Sequence, residues 1–159
     1  MQRCPTFPMR KYRAWIALLS ALSAGVALYL HLWKIGQPLV LPSCGVGGGC
    51  VRAQMSRFGW FLGVDVALIG VVGYTLIVLI ALAGMLPRWR DARWVTVVLM
   101  ALIYPAVLFT LRLKFGEFYV LRTFCPWCAV SAVVITLNAF LVLHDWRRLA
   151  EQNRVSYST

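Results

Sequence analysis

Five cysteines supply the most reactive side chains of this 159-residue chain, and four of them fall into two pairs. Cys125 and Cys128 enclose Pro126 and Trp127, and the apolar run from Ala129 to Leu143 follows at once. This Cys-x-x-Cys therefore opens a hydrophobic helix. The first turn of a helix carries unpaired N–H groups and a partial positive charge, both of which favour a thiolate over a thiol. Cysteines placed there in such pairs acquire lowered pKa values and become reactive. Pro126 suits a first turn, where its missing N–H costs nothing. At about 100° per residue the two sulfurs lie roughly 60° apart, on one face. The pair reads as a redox centre at the mouth of its helix.

The second pair, Cys44 and Cys50, sits in the stretch Leu41-Pro42-Ser43-Cys44-Gly45-Val46-Gly47-Gly48-Gly49-Cys50, whose glycines make it permissive and able to swing. Beyond it Val51, Met55 and Phe58 recur at helical spacing. They predict a short helix lying in a membrane interface, with Arg52 and Arg57 toward headgroups. Cys4 stands alone in the N-terminal tail and reads as an unpaired thiol. The four paired cysteines admit structural disulfides, a four-thiolate metal site, or an electron relay. Closing the short Gly-rich loop removes little denatured-state entropy, which weakens the first. Cys44 and Cys50 are spaced too widely for a zinc knuckle, which weakens the second. Thiol–disulfide exchange between one mobile, exposed pair and one fixed pair suits the residues best.

The elements that must position these pairs are membrane spans. Hydrophobic residues make up 61% of the chain and charged residues 13%, which excludes an ordinary soluble domain. Four apolar segments, residues 14–33, 61–86, 94–113 and 124–143, are each long enough to cross a hydrocarbon core of about 30 Å. The expected fold is an all-α membrane protein: one four-helix transmembrane bundle covering 1–159, with a cysteine-bearing outward loop and a short interfacial helix. The first segment is too long for a signal-peptide core and reads as an uncleaved span. Ten of the sixteen Lys and Arg fall on the side holding both termini. The positive-inside bias then puts the termini in the cytoplasm and both cysteine pairs on the opposite, oxidising face. The net charge of +11 follows from these flanking cations and does not call for nucleic acid.

The order of these features resembles the vitamin K epoxide reductase family, in its bacterial branch, over nearly the whole chain. The carrying residues are Cys44 and Cys50, then Val51 and Ser56, then Gly63, Val64, Val66, Ala67, Leu68, Gly70 and Tyr74, and finally Cys125-Pro126-Trp127-Cys128. The resemblance implies a DsbB-like role in the bacterial cytoplasmic membrane, supporting disulfide-bond formation. A thioredoxin-like (DsbA-like) partner would be oxidised and the electrons passed to a quinone, either menaquinone or ubiquinone. Cys44 would exchange with the partner, Cys50 would resolve that mixed disulfide and link transiently to Cys125, and Cys128 would border the quinone ring. Ser56, Gly63, Ala67, Gly70, Tyr74 and Ala132 are the implied quinone-site residues. Animal members carry Asn and Tyr where this chain has Val66 and Ala132, which weakens any expectation of epoxide reduction. Many bacterial members have Pro where this chain has Asp65.

The other polar residues have plainer expectations. Asp65 caps a helix turn or meets headgroups before it relays protons. Gly59, Gly63, Ala67, Gly70 and Tyr74 fall in one stripe if the whole segment is helical, suiting close helix packing and a flat ring alike. Asn138 reads as an interhelical hydrogen bond, and His31 as an interfacial imidazole or proton acceptor. His144, Asp145 and Arg147 read as an interface anchor, the many span-end Trp and Tyr as an aromatic belt, and Pro105 as a kink in the third span. A rival function is a soft-metal membrane transporter of the mercuric type, although only Cys4 lies on the cytoplasmic side to receive a metal.

Overall fold

The computed structural model describes residues 7–36, 49–89 and 92–157, the backbone alone for 7–10 and 152–157. Four long helices form the bundle: α1 Phe7–Lys34, α3 Val66–Ala83, α4 Arg93–Phe115 and α5 Pro126–Tyr157. All four are long and apolar enough to cross a membrane. Between α1 and α3 come α2 (Gly49–Met55), a 3-10 turn (Arg57–Gly59) and the two-stranded antiparallel hairpin β1 (Trp60–Phe61) and β2 (Val64–Asp65). A π-helical turn, Gly116–Val120, extends α4 toward the start of α5.

The second span departs from its expected start. Residues 61–65 do not continue a helix; they form the hairpin, paired Trp60 to Asp65 and Phe61 to Val64. Leu62 and Gly63 at its tip both have positive φ, 51° and 81°. A two-residue hairpin turn of type I′ needs that conformation at both positions, and Gly63 supplies one cheaply. Asp65 then caps α3, its carboxylate accepting the N–H of Ala67 at 3.1 Å. The stripe of small residues is accordingly cut: Gly59 lies in the 3-10 turn and Gly63 at the hairpin tip, while Ala67, Gly70 and Tyr74 stay on α3. The first and fourth helices also run beyond residues 14–33 and 124–143, because their polar flanks remain helical past the apolar core.

α1 packs against α3 and α5, and α4 against α5 and α3. The buried core draws Ile16, Tyr74, Ile77, Leu99, Ile103, Ile135 and Val142 from all four helices. Gly70 lets α1 come close: a Cβ there would lie 3.3 Å from that of Ala27. Pro105 is accommodated inside α4. Asn138 donates to Ser20 Oγ at 2.9 Å, the interhelical bond expected of it.

Asp145 does not join an interface anchor. It is fully buried, and its Oδ2 accepts from Arg13 Nε at 3.3 Å and from Thr96 Oγ1 at 2.8 Å. Arg13, also buried, donates further to the Gly84 carbonyl at 2.6 Å and to Thr96 Oγ1 at 3.2 Å. A charge in hydrocarbon is retained only when paired and hydrogen-bonded, and here α1, α4, α5 and the C-terminal end of α3 share one cluster. His144 instead stacks on Tyr12, ring centroids 5.3 Å apart.

Candidate functional site

The site lies at the opposite end of the bundle from Arg13, where α2, the 3-10 turn and the π turn close over the long helices. Cys125 is fully buried just before α5, and Cys128 is half-buried in its first turn. Both are free thiols. The Cys128 N–H donates to Cys125 Sγ at 3.3 Å, which is how a helix N-terminus stabilises a sulfur anion. Cys125 is accordingly held below the ordinary thiol range. The Cys128 side chain is the main cause; burial opposes it, the Cys128 backbone N–H adds to it, and the opposite charges of Glu117 and Lys114 pull in opposite directions.

Cys50 is buried on α2 and disulfide-bonded. Cys44 falls outside the described residues, as does Cys4. On α2, Cys50 and Gln54 turn inward, one helical turn apart, while Val51 and Met55 are exposed; Phe58, expected on the same face as those two, lies beyond α2 in the 3-10 turn, because the helix ends at Met55. The inward face reaches the inner pair. Gln54 Nε2 lies 3.7 Å from Cys128 Sγ. Gly49, the neighbour of Cys50, lies against the main chain of Phe124, the neighbour of Cys125. A Cβ on Gly49 would sit 2.9 Å from Thr123 Oγ1 and closer still to the Phe124 carbonyl oxygen. Only glycine permits that approach.

A cavity of about 110 Å³ opens beside Cys128. Its walls include Ala27 of α1, Ala67, Gly70 and Tyr74 of α3, and Trp127 of α5. Two buried polar atoms on these walls, Ser23 Oγ and Gln54 Oε1, have no hydrogen-bond partner among the described residues. The Tyr74 hydroxyl is engaged with Ser131, at 2.7 Å from Oγ and 3.1 Å from the carbonyl oxygen. Ser56, Gly63 and Ala132 do not line the cavity. Ser56 instead caps the 3-10 turn, accepting from the Phe58 N–H at 3.2 Å and donating to the Ala53 carbonyl at 2.8 Å. Phe58, so positioned, does reach the cavity wall.

Sequence reasoning passed over Glu117 and Lys114. Glu117 is buried; Oε1 accepts the backbone N–H of Cys125 and Oε2 pairs with Lys114 Nζ at 2.7 Å. Both residues line the cavity. The available signal was a lone acid three residues after a lysine, close before the Cys-x-x-Cys. At the rim, Asp65 Oδ2 lies 2.7 Å from His31 Nδ1, and Oδ1 accepts from Lys34 Nζ at 2.7 Å. Burial alone would raise the Asp65 pKa, but these partners and the Ala67 N–H outweigh it and hold the carboxyl below its usual range. The Asp65 cap reading holds, and His31 is its partner.

A bundle of four apolar helices with a thiol pair at one helix mouth, beside an apolar cavity, defines a membrane oxidoreductase. Residues 14–143 match the vitamin K epoxide reductase family, and the chain belongs to it. The family's chemistry is membrane disulfide and quinone redox. The residues here fit such a ring: flat apolar walls, space on the scale of one six-membered ring, and two unpartnered polar atoms facing it.

Proposed function

We propose that the protein is a quinone-dependent thiol oxidase of the bacterial cytoplasmic membrane, with both termini cytoplasmic and the cysteines on the outer face. Electrons run from a thioredoxin-like dithiol to Cys44–Cys50, then to Cys125–Cys128, then to a quinone beside Cys128. The approach of Gly49 to Phe124 carries this reading, because it brings the chain beside Cys50 against the chain beside Cys125. Disulfide exchange requires one thiolate to attack one sulfur in line. Cys125, with its lowered pKa, is the thiolate of the inner pair. In the forward step the Cys50 thiolate attacks Cys125 of the oxidised inner pair, the electron pair leaves on Cys128, and Cys44 then attacks Cys50, re-forming the outer disulfide and releasing Cys125 as that thiolate. A bound quinone supplies a two-electron, two-proton acceptor. Ser23, Gln54 and Tyr74 offer polar contacts for its oxygens, and Ala67 and Gly70 keep the wall flat.

Trapping tests the order. A Cys50→Ala variant accumulates a mixed disulfide between Cys44 and the partner, seen on non-reducing gels, and the purified wild type reduces quinone with a thioredoxin-like dithiol. Capture of the partner through Cys128 alone refutes the relay.

A further inference from the structure

Joining Cys125 to Cys128 releases protons as well as electrons, and the cavity wall holds a buried acid that the relay does not use. Glu117 is 4% exposed, at the outer end of the third span. A carboxylate at such a depth is costly and points to function by default. It enters on the π turn Gly116–Val120, a geometry that recurs at functional sites. Gly116 makes room there, since a Cβ on it would lie 2.6 Å from the Phe58 ring. The result turns Glu117 inward while Phe118, Tyr119 and Val120 face out.

Among the described residues, the polar surroundings of Glu117 are few. Lys114 pairs with it from α4, Cys125 meets it from just before α5 and Cys128 lies near it in the first turn of α5, and Tyr74 lines the cavity from α3. The polar side chains that α1 and α2 bring to the same cavity wall, Ser23 and Gln54, carry no charge. Tyr74 is engaged with Ser131. Glu117 is thus the acid that touches the Cys125 backbone and opens onto the cavity at once.

We propose that Glu117, held by Lys114, is the proton relay of the inner cysteine pair, carrying a thiol proton from the Cys125–Cys128 centre into the cavity. The inference rests on the thiol-oxidase reading. Two S–H bonds break and one S–S bond forms, with loss of two electrons and two protons. Both electrons and both protons end on a quinone-class acceptor, which is reduced to its quinol. One of the protons passes through the Glu117 carboxyl, which returns to a carboxylate paired with Lys114 at the end of the cycle. Lys114 keeps the emptied carboxylate from being stranded in a low-dielectric wall.

Glu117→Gln separates relay from scaffold. The amide oxygen still accepts the Cys125 N–H, yet it cannot carry a proton. In full-length protein purified free of quinone, the midpoint potential of Cys125–Cys128 is measured against pH in a dithiothreitol buffer. The slope of that potential against pH differs between the wild type and Glu117→Gln, because only the wild-type wall holds a proton carrier beside the pair. With quinone added, Glu117→Gln loses about tenfold or more in rate and Glu117→Asp recovers most of it. Partner exchange at Cys44–Cys50 stays unchanged in both variants, reporting an intact fold. A Glu117→Gln protein whose potential follows the wild-type pH slope throughout, or that reduces quinone within about twofold of wild type, overturns the relay. Wild type that fails to reduce quinone at all refutes the thiol-oxidase reading instead.

Discussion

Replacing Gly49 by Ala isolates the step between the two cysteine pairs. The added Cβ falls inside contact distance of two groups, 2.9 Å from Thr123 Oγ1 and nearer to the Phe124 carbonyl oxygen. The threonine hydroxyl can rotate away, but the carbonyl belongs to main chain tied to the buried Cys125 and has no such freedom. Relief therefore comes from α2 moving outward by about 1 Å, and Cys50 moves with it. A misplacement of that size at a reacting centre costs about a hundredfold in rate, or about 2.7 kcal/mol of barrier. Stopped-flow mixing with a reduced thioredoxin-like protein resolves the steps. Reduction of the outer pair proceeds at the wild-type rate in Gly49→Ala, whereas transfer to Cys125–Cys128 slows by about two orders of magnitude. Quinone reduction by a small dithiol that acts directly on the inner pair is unaffected. Wild-type transfer in Gly49→Ala refutes the argument that this contact sets the distance between the pairs.

Two further perturbations test the polar clusters. Arg13→Met or Asp145→Leu alone leaves a buried charge unpaired and destabilises the protein by about 3–5 kcal/mol, while the double variant recovers most of that loss; denaturant unfolding in detergent measures it. Asp65 has a depressed folded pKa, so its contribution to stability is full above the ordinary carboxylate range. It is lost as pH falls through the ordinary carboxyl value of 3.8 and on through the lower folded value. Asp65→Asn removes that acid-dependent part and costs about 1.5–3 kcal/mol at neutral pH, because His31 and Lys34 lose their anion; thermal unfolding across the acid range shows both.

The spans and the inner cysteine pair were legible because both rest on local rules. Long apolar runs can only be helices in lipid, and Pro126 beside a Cys-x-x-Cys marks a first turn. Asp65 as a cap was equally local, but its partners Lys34 and His31 lie 31 and 34 residues away on α1, and no spacing rule joins them. The hairpin at Trp60–Asp65 was hidden by its own composition, since Trp60-Phe61-Leu62 reads as more span until Leu62 takes a left-handed turn. Glu117 and Asp145 look alike in sequence: single acids near span ends, where headgroups usually receive them. Their burial is decided by a π turn in one case and by Arg13 from a distant helix in the other. Gly49 read as one flexible residue among several, and its role as the contact point is a tertiary fact.

Helix α1 is fastened at both ends, by Arg13 to Asp145 and by Lys34 to Asp65. Twenty-one residues separate the two fastenings, about 32 Å of helix and close to the thickness of a hydrocarbon core. Cations of this kind ordinarily snorkel to absorb a mismatch in thickness, but these two are locked in place. The lipid must therefore adjust to the protein, and host membranes of differing acyl length become a strain gauge for the whole bundle.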